Sequence, residues 1–229
     1  MVLPDKFICI IPVRYESSRF PGKPLAKING KAMISIVYGN AIKAKTLEKV
    51  IVATDDKRIY DYCVENKFEV VYTSPDCKNG SERVAEVAEK IKEDYIFEMQ
   101  GDQPLVTSDV IDDFINHSKK IIENDSRVEV VIPYSEYDGD SKDVLKVVVT
   151  KKEKLVFQSR QAIQTGFRTL GLYMWNKESL LRFTSLPVSR LEKAEDSHPI
   201  RLYVNDFVVQ GVKIFKKDWI EVDLSLIHI

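Results

Sequence analysis

In the first half of the chain, apolar positions fall into short unbroken runs separated by amphipathic stretches. Residues 7–13 (FICIIPV) are apolar throughout, the pattern of a strand buried on both faces. Residues 49–54, 69–72, 95–99 and 128–133 also read as strands. Between these runs, residues 32–44 set Met33, Ile36, Val37, Ala41 and Ala44 near helical spacing. Residues 57–66 and 81–93 also read as helices, and 108–124 puts Val110, Ile111, Phe114, Ile115 and Ile121 on one side. This alternation predicts an α/β fold, a Rossmann-like mostly parallel sheet with helices on both faces. In such sheets a ligand sits at the carboxyl ends of the strands, near a switch in strand order.

The second half reads differently. Residues 145–150 and 155–158 form a strand pair across a polar turn at 151–154, 170–175 is a further strand, and 177–183 a helix. A helix at 191–197 is expected to stop at Pro199, with short strands at 201–204 and 212–215. Together these predict a small mixed or antiparallel extension of the same sheet. No repeat or linker interrupts the 229 residues, so one domain spanning 1–229 is expected, with halves at 1–133 and 134–229.

Composition then narrows the classes. Lys and Arg total 34 against 35 Asp and Glu, a net charge of −1, which argues against a nucleic-acid partner. With 44% hydrophobic and 30% charged residues, the chain can bury a core and is not disordered. No apolar run approaches the ~18 residues of a membrane span. The N-terminus has no small-residue cleavage site, which reads as no signal peptide and a cytoplasmic protein. Cys9, Cys63 and Cys77 have no metal-ligand spacing and read as free thiols.

Candidate chemistry lies in the loops after the strands. The first strand runs into RYESSRFPGKPL, which holds Arg14, Arg19 and Lys23. Cations and backbone N–H groups in a tight loop suit a polyphosphate. The loop has neither a GK[ST] ending nor GxGxxG spacing, so P-loop ATPase and dehydrogenase readings lose ground. Asp102, in QGDQP after the strand 95–99, is a candidate Mg²⁺ ligand, because magnesium is commonly held by one or two carboxylates plus substrate phosphates. Ser81 is a candidate N-cap, and Asp56 caps the helix at 57–66. His117, His198 and His228 are scattered beside no evident Ser or Cys nucleophile, so neither a hydrolase triad nor a zinc site is expected.

The string IPVRYESSRFPGKPLAKINGKAMI at 11–34 resembles the N-terminal signature of the 3-deoxy-manno-octulosonate (KDO) cytidylyltransferases, the CMP-KDO synthetases. The resemblance continues through ATDD at 53–56, GSERVAE at 80–86, QGDQP at 100–104, KVVV at 146–149, Ser159-Arg160, LGLY at 170–173, Leu191-Glu192 with Glu195 and Arg201, and Val222-Asp223. It implies a nucleotide-diphospho-sugar transferase type of fold, with a CTP-binding half at 1–133 and a sugar-binding and dimerisation half at 134–229. The implied reaction joins CTP and KDO to give CMP-KDO and pyrophosphate, for the inner core of lipopolysaccharide. Arg14, Arg19, Lys23 and Asp102 are then catalytic. Pro12, Val13, Gly80, Ser81 and Arg83, with the three loop cations, hold CTP. Gln100, Arg160, Tyr173, Glu192 and Glu195 face the sugar acid, and Asp102 and Asp223 hold Mg²⁺. A homodimer is implied as well.

The chain departs from the family pattern in places. Thr169 stands where members usually have His before LGxY, and His198 and Pro199 stand where they have Glu and Gln before Arg201. A locally different sugar surface is expected. Members continue past the Val-Asp pair with a Thr-Pro-acidic turn and a final helix, and residues 224–229 (LSLIHI) depart from that pattern. Two other readings stay open: a cytidylyltransferase for another 2-keto-3-deoxy acid, sialic-type or 8-amino-KDO, and a non-catalytic nucleotide-binding protein.

Overall fold

Alternating side-chain direction along a strand lets one apolar run feed two core layers. In strand β1 (Phe7–Val13), Phe7, Cys9, Ile11 and Val13 enter one core, and Ile8 and Ile10 enter the other. The computed structural model describes residues 3–16, 20–139, 141–142, 144–161, 163, 165–195 and 197–214. After β1 come the hairpin β2 (Lys27–Ile28) and β3 (Lys31–Ala32), helix α1 (Met33–Ala41), β4 (Leu47–Thr54), α2 (Lys57–Glu65) and β5 (Val70–Tyr72). Then follow α3 (Gly80–Ala88), β6 (Tyr95–Met99), α4 (Ser108–Asn124) and β7 (Val130–Glu136).

The second half supplies β8 (Lys146–Val149), β9 (Leu155–Ser159), β10 (Phe167–Thr169), β11 (Leu172–Asn176), α5 (Lys177–Ser185), α6 (Arg190–Glu195), α7 (Ile200–Val204) and β12 (Val209–Lys213). One sheet runs β5-β4-β1-β6-β11-β7-β10-β8-β9, with β12 also on β7. The β5–β4, β4–β1 and β1–β6 pairings are parallel, as is β7–β12. Strand β11 is antiparallel to both β6 and β7, so those two strands run in the same direction. β8, β9 and β10 form the antiparallel extension.

Helices α1, α2 and α4 cover one face through Val37, Ile59 and Phe114, and α3, α5 and α7 cover the other through Val84, Phe183 and Leu202. From β1 the chain passes to β4 and β5 on one side and to β6 on the other, so the strand order reverses between β1 and β6. A crevice at that reversal is where this architecture places ligands.

Three local expectations are corrected. Residues 201–204 are helical, because Pro199 (φ −64°) not only ends the segment before it but sits at the start of α7, where its fixed φ suits a first turn. The last described strand is β12, Val209–Lys213, set by its register on β7 and not by the apolar run at 212–215. Asn79, not Ser81, caps α3: its side chain accepts from Glu82 N at 3.0 Å, while Glu82 bonds Lys78 N and Asn79 Nδ2 in return. The expected cap at Asp56 is present, accepting from Arg58 N at 2.9 Å.

Candidate active site

The carboxyl ends of β1 and β6 open into a cavity of about 600 Å³. Its nearer wall holds Pro12, Val13 and Arg14 from the end of β1, Lys23 from the turn Lys23–Leu25, and Gly80 and Arg83 from α3. Gln100 and Asp102 follow the end of β6. Arg160 follows β9, and Glu192, His198 and Arg201 come from the α6–α7 segment opposite.

Two glycines allow these approaches. Gly22 adopts φ +77°, and its N–H donates to Tyr15 O at 2.8 Å, closing the basic loop and presenting Lys23. A Cβ on Gly101 would lie 2.1 Å from Val13 Cγ1, so only glycine lets the β6 loop sit against the end of β1.

Lys23 Nζ donates to Asp102 Oδ2 at 2.9 Å, with 18% and 46% of the two side chains exposed. Asp102 therefore sits at the lip with one oxygen already facing a cation. Arg14 is exposed and has no ion pair among the described residues, so its charge is available to an anion. Arg83 is buried instead, its guanidinium 2.9 Å from Asp55 and bonded to Thr73 Oγ1. It stiffens the wall more than it projects from it. Burial pushes the Cys77 thiol up to about 11, which keeps this wall residue a thiol and not a nucleophilic thiolate at neutral pH.

Not every predicted residue reaches the cavity. Tyr173 on β11 is buried in the second core and stacked on Trp175 at 5.8 Å. Its position follows from β11 lying inside the sheet. One oxygen of Glu195, Oε2, accepts from Ser159 Oγ at 2.6 Å and from Arg160 N at 3.3 Å, fixing the backbone that carries Arg160. Ser81 lies beneath the wall, fully buried. Glu192 does line the cavity, but both its oxygens hold Arg201, at 2.7 and 3.0 Å. Arg19 and Asp223 lie outside the described residues.

The sequence reading missed Glu98, a carboxylate inside the all-buried strand β6. A charge within an apolar run was the signal. Glu98 accepts from Ser81 Oγ, Gln100 Nε2 and Trp175 Nε1. Burial pushes its pKa up to about 7, while those three donors pull it back. Nor is His198 remote from a serine, as expected above: Nε2 stands 3.3 Å from Ser81 Oγ. Ser81 is buried and hydrogen-bonded to Glu98, so it is no exposed nucleophile.

A carboxyl group whose folded pKa exceeds its unfolded value binds its proton more tightly when folded. Its burial cost is absent at acid pH and grows as pH rises from about 4.5 to about 7. That gap corresponds to about 3 kcal/mol. His198 acts oppositely at lower pH, since burial and the nearby guanidiniums of Arg201, Arg160 and Arg14 hold it down to about 3. Its contribution is common to parent and variant. Glu98→Gln is therefore expected to gain stability relative to the parent as pH rises from about 5 to about 8 in urea unfolding. A constant difference between the two proteins across that range would refute the buried charge.

Comparison with known proteins agrees with this geometry. The cytidylyltransferase family profile matches residues 8–216. A 3-deoxy-manno-octulosonate cytidylyltransferase of Chlamydia trachomatis serovar L2 is 37% identical over 214 residues, covering 87% of this chain and 82% of the relative. One from Leptospira interrogans is 33% identical over 227 residues, covering 95% and 91%. The solved structure of a CMP:2-keto-3-deoxy-manno-octonic acid synthetase complexed with CTP superposes with a TM-score of 0.84 at 26% identity, covering 94% of this chain and 93% of that one. With the profile matched from β1 past β12, and basic loop and carboxylate meeting at the strand-order switch, the chain belongs to the cytidylyltransferase family.

Proposed function

We propose that this protein joins CTP to 3-deoxy-manno-octulosonate, giving CMP-KDO and pyrophosphate. The observation that carries the reading is the convergence of Arg14, Lys23 and Asp102 on one wall of a cavity whose other wall holds Arg160. The names of the relatives supply the substrates. In a bacterium that builds lipopolysaccharide, the product would feed the inner core.

In this reaction the anomeric hydroxyl of the sugar acid attacks the α-phosphorus of CTP in line. The new O–P bond forms as the bond to the β-phosphate oxygen breaks, and the hydroxyl proton passes to water. Arg14 and Lys23 offset the charge of the triphosphate and of the departing pyrophosphate. Arg160, its backbone fixed by Glu195, meets the sugar carboxylate, where paired N–H donors give direction as well as charge. The contribution of the protein is position and field more than covalent chemistry.

The family resemblance also implies Mg²⁺. No three His, Cys, Asp or Glu side chains converge on one point among the described residues. Magnesium does not need such a cage when substrate phosphates complete its shell, and Asp102, already paired with an ammonium, fits as its carboxylate. Asp223, proposed as the second carboxylate, lies outside the described residues. When bound, the ion would neutralise phosphate oxygens and lower the pKa of the attacking hydroxyl. The same reading carries a cytoplasmic homodimer; among the described residues no helix is long and apolar enough to cross a membrane.

The direct test is pyrophosphate release with CTP, Mg²⁺ and KDO. Release that requires all three is expected. A folded sample that releases none with KDO or any other 2-keto-3-deoxy acid sinks the proposal.

A further inference from the structure

Ser81 and Glu98 are fully buried beneath the cavity, and His198 reaches Ser81 from 117 positions along the chain. Their hydrogen bonds leave little freedom in where the protons sit. Glu98 Oε1 accepts from Gln100 Nε2 at 2.5 Å, and Oε2 accepts from Trp175 Nε1 at 2.8 Å. An indole N–H can only donate. Ser81 Oγ lies 3.1 and 3.0 Å from the same two oxygens and, once Glu98 is ionised above about pH 7, gives its single hydrogen to the carboxylate. Toward His198, Ser81 can then only accept, so the imidazole hydrogen lies on Nε2, 3.3 Å away.

The other ring nitrogen is the exposed end of this chain. Burial and the guanidiniums of Arg201, Arg160 and Arg14 keep the imidazole neutral at physiological pH, so Nδ1 carries a lone pair. Phe183 braces the ring edge-on at 6.4 Å and 69°. Within the described residues no buried side-chain nitrogen or oxygen lacks a partner, and no protein group bonds Nδ1. Nδ1 therefore keeps contact with open space, and His198 lines the cavity.

We infer that His198 is a specificity-determining residue: the buried Glu98–Ser81 pair locks its Nε2–H tautomer, and Nδ1 accepts a hydrogen bond from a hydroxyl of the sugar-acid acceptor. This rests on the cytidylyltransferase reading. The same cations that keep the ring neutral repel an ammonium, so the site selects a hydroxyl over an amine at this point. They also suit an anionic polyhydroxy acid on the α6–α7 wall. Glu98 and Ser81 touch no substrate and act as positioning residues.

The tautomer is read without substrate, from ¹⁵N shifts of labelled histidine. At about pH 8, with Glu98 ionised, the parent should show His198 as Nε2–H, and Ser81→Ala should give a mixture of tautomers. Kinetics then tests the contact. His198→Leu should raise the acceptor KM by about tenfold, the loss of one neutral hydrogen bond, with the CTP KM unchanged. His198→Asn keeps an acceptor near the Nδ1 position and should return the acceptor KM to within about threefold of the parent. An Nδ1–H tautomer in the parent overturns the lock. A CTP KM that rises while the acceptor KM stays still overturns the contact, and assigns Nδ1 to the nucleotide. If the parent binds CTP but releases no pyrophosphate with any sugar acid, the functional reading fails and takes the acceptor contact with it. The lock still stands or falls by the spectrum.

Discussion

Asp102→Asn is expected to cut pyrophosphate release by about 10²–10³-fold, the range seen when one group that stabilises transition-state charge is removed. Asparagine keeps the size of the side chain and an oxygen for Lys23 Nζ, which now lies at 2.9 Å. What it loses is the charge. The pair is nearly half exposed on the Asp102 side, and such pairs contribute no more than about 1 kcal/mol to stability. The variant should therefore unfold within about 1 kcal/mol of the parent. Loss of activity with retained stability separates a role toward the triphosphate and its cation from a structural one. Turnover within about tenfold of the parent, below the range for such a group, would remove Asp102 from the chemistry.

The largest stability effect is expected at the buried ion pair of α6 and α7. Arg201 is 1% exposed and Glu192 6%. Their bidentate bonds of 2.7 and 3.0 Å are joined by a bond from Arg201 Nη1 to Phe183 O at 3.2 Å, with Glu82 3.7 Å away. Removing Glu192 leaves a buried guanidinium with only the Phe183 carbonyl and the more distant Glu82, and breaking such a pair costs up to about 3–5 kcal/mol. Glu192→Ala should approach that loss in urea unfolding. The double variant Glu192→Leu/Arg201→Met should be less destabilised than Glu192→Ala, because neither charge is left alone. Equal losses in single and double variants would mean that the pair is weakly coupled. The resemblance marks Glu192 as a sugar-side residue, and in the structure both its oxygens hold Arg201.

Much of the first half was legible because its signals are local. The β1 run is apolar at every position, and in the fold it lies between β4 and β6 with both faces buried. Asp56 stands at a helix start and caps it. The basic loop and QGDQP each follow a strand, and the strand-order switch brings them together. Local signals were also overlooked. Asn29 and Gly30, at φ 48° and 79°, make the tight turn between β2 and β3, and an Asn-Gly pair favours such turns.

What was not legible depends on partners far along the chain. Nothing near 172–176 says that β11 enters between β6 and β7, and that placement takes Tyr173 away from the cavity. β10, at three residues, is too short for a pattern and exists through its pairing with β7 and β8. His198 could be seen as a departure from the family pattern, but its meaning needed Ser81 and Glu98 beside it. That Glu195 braces the Arg160 backbone is something only hydrogen-bond geometry reveals.

The insertion of β11 has a kinetic consequence. Strand β6, which ends at the Asp102 loop, shares its main-chain ladder with β1 on one side and with β11 on the other. The nucleotide wall and the strands behind the sugar wall thus belong to one continuous sheet, with no hinge line between them. Turning one against the other would break a ladder, so the gap between the two substrates is set when the chain folds and not when they arrive. Entropy lost in aligning two reactants is a large part of a bimolecular barrier, and here much of that alignment is built in beforehand.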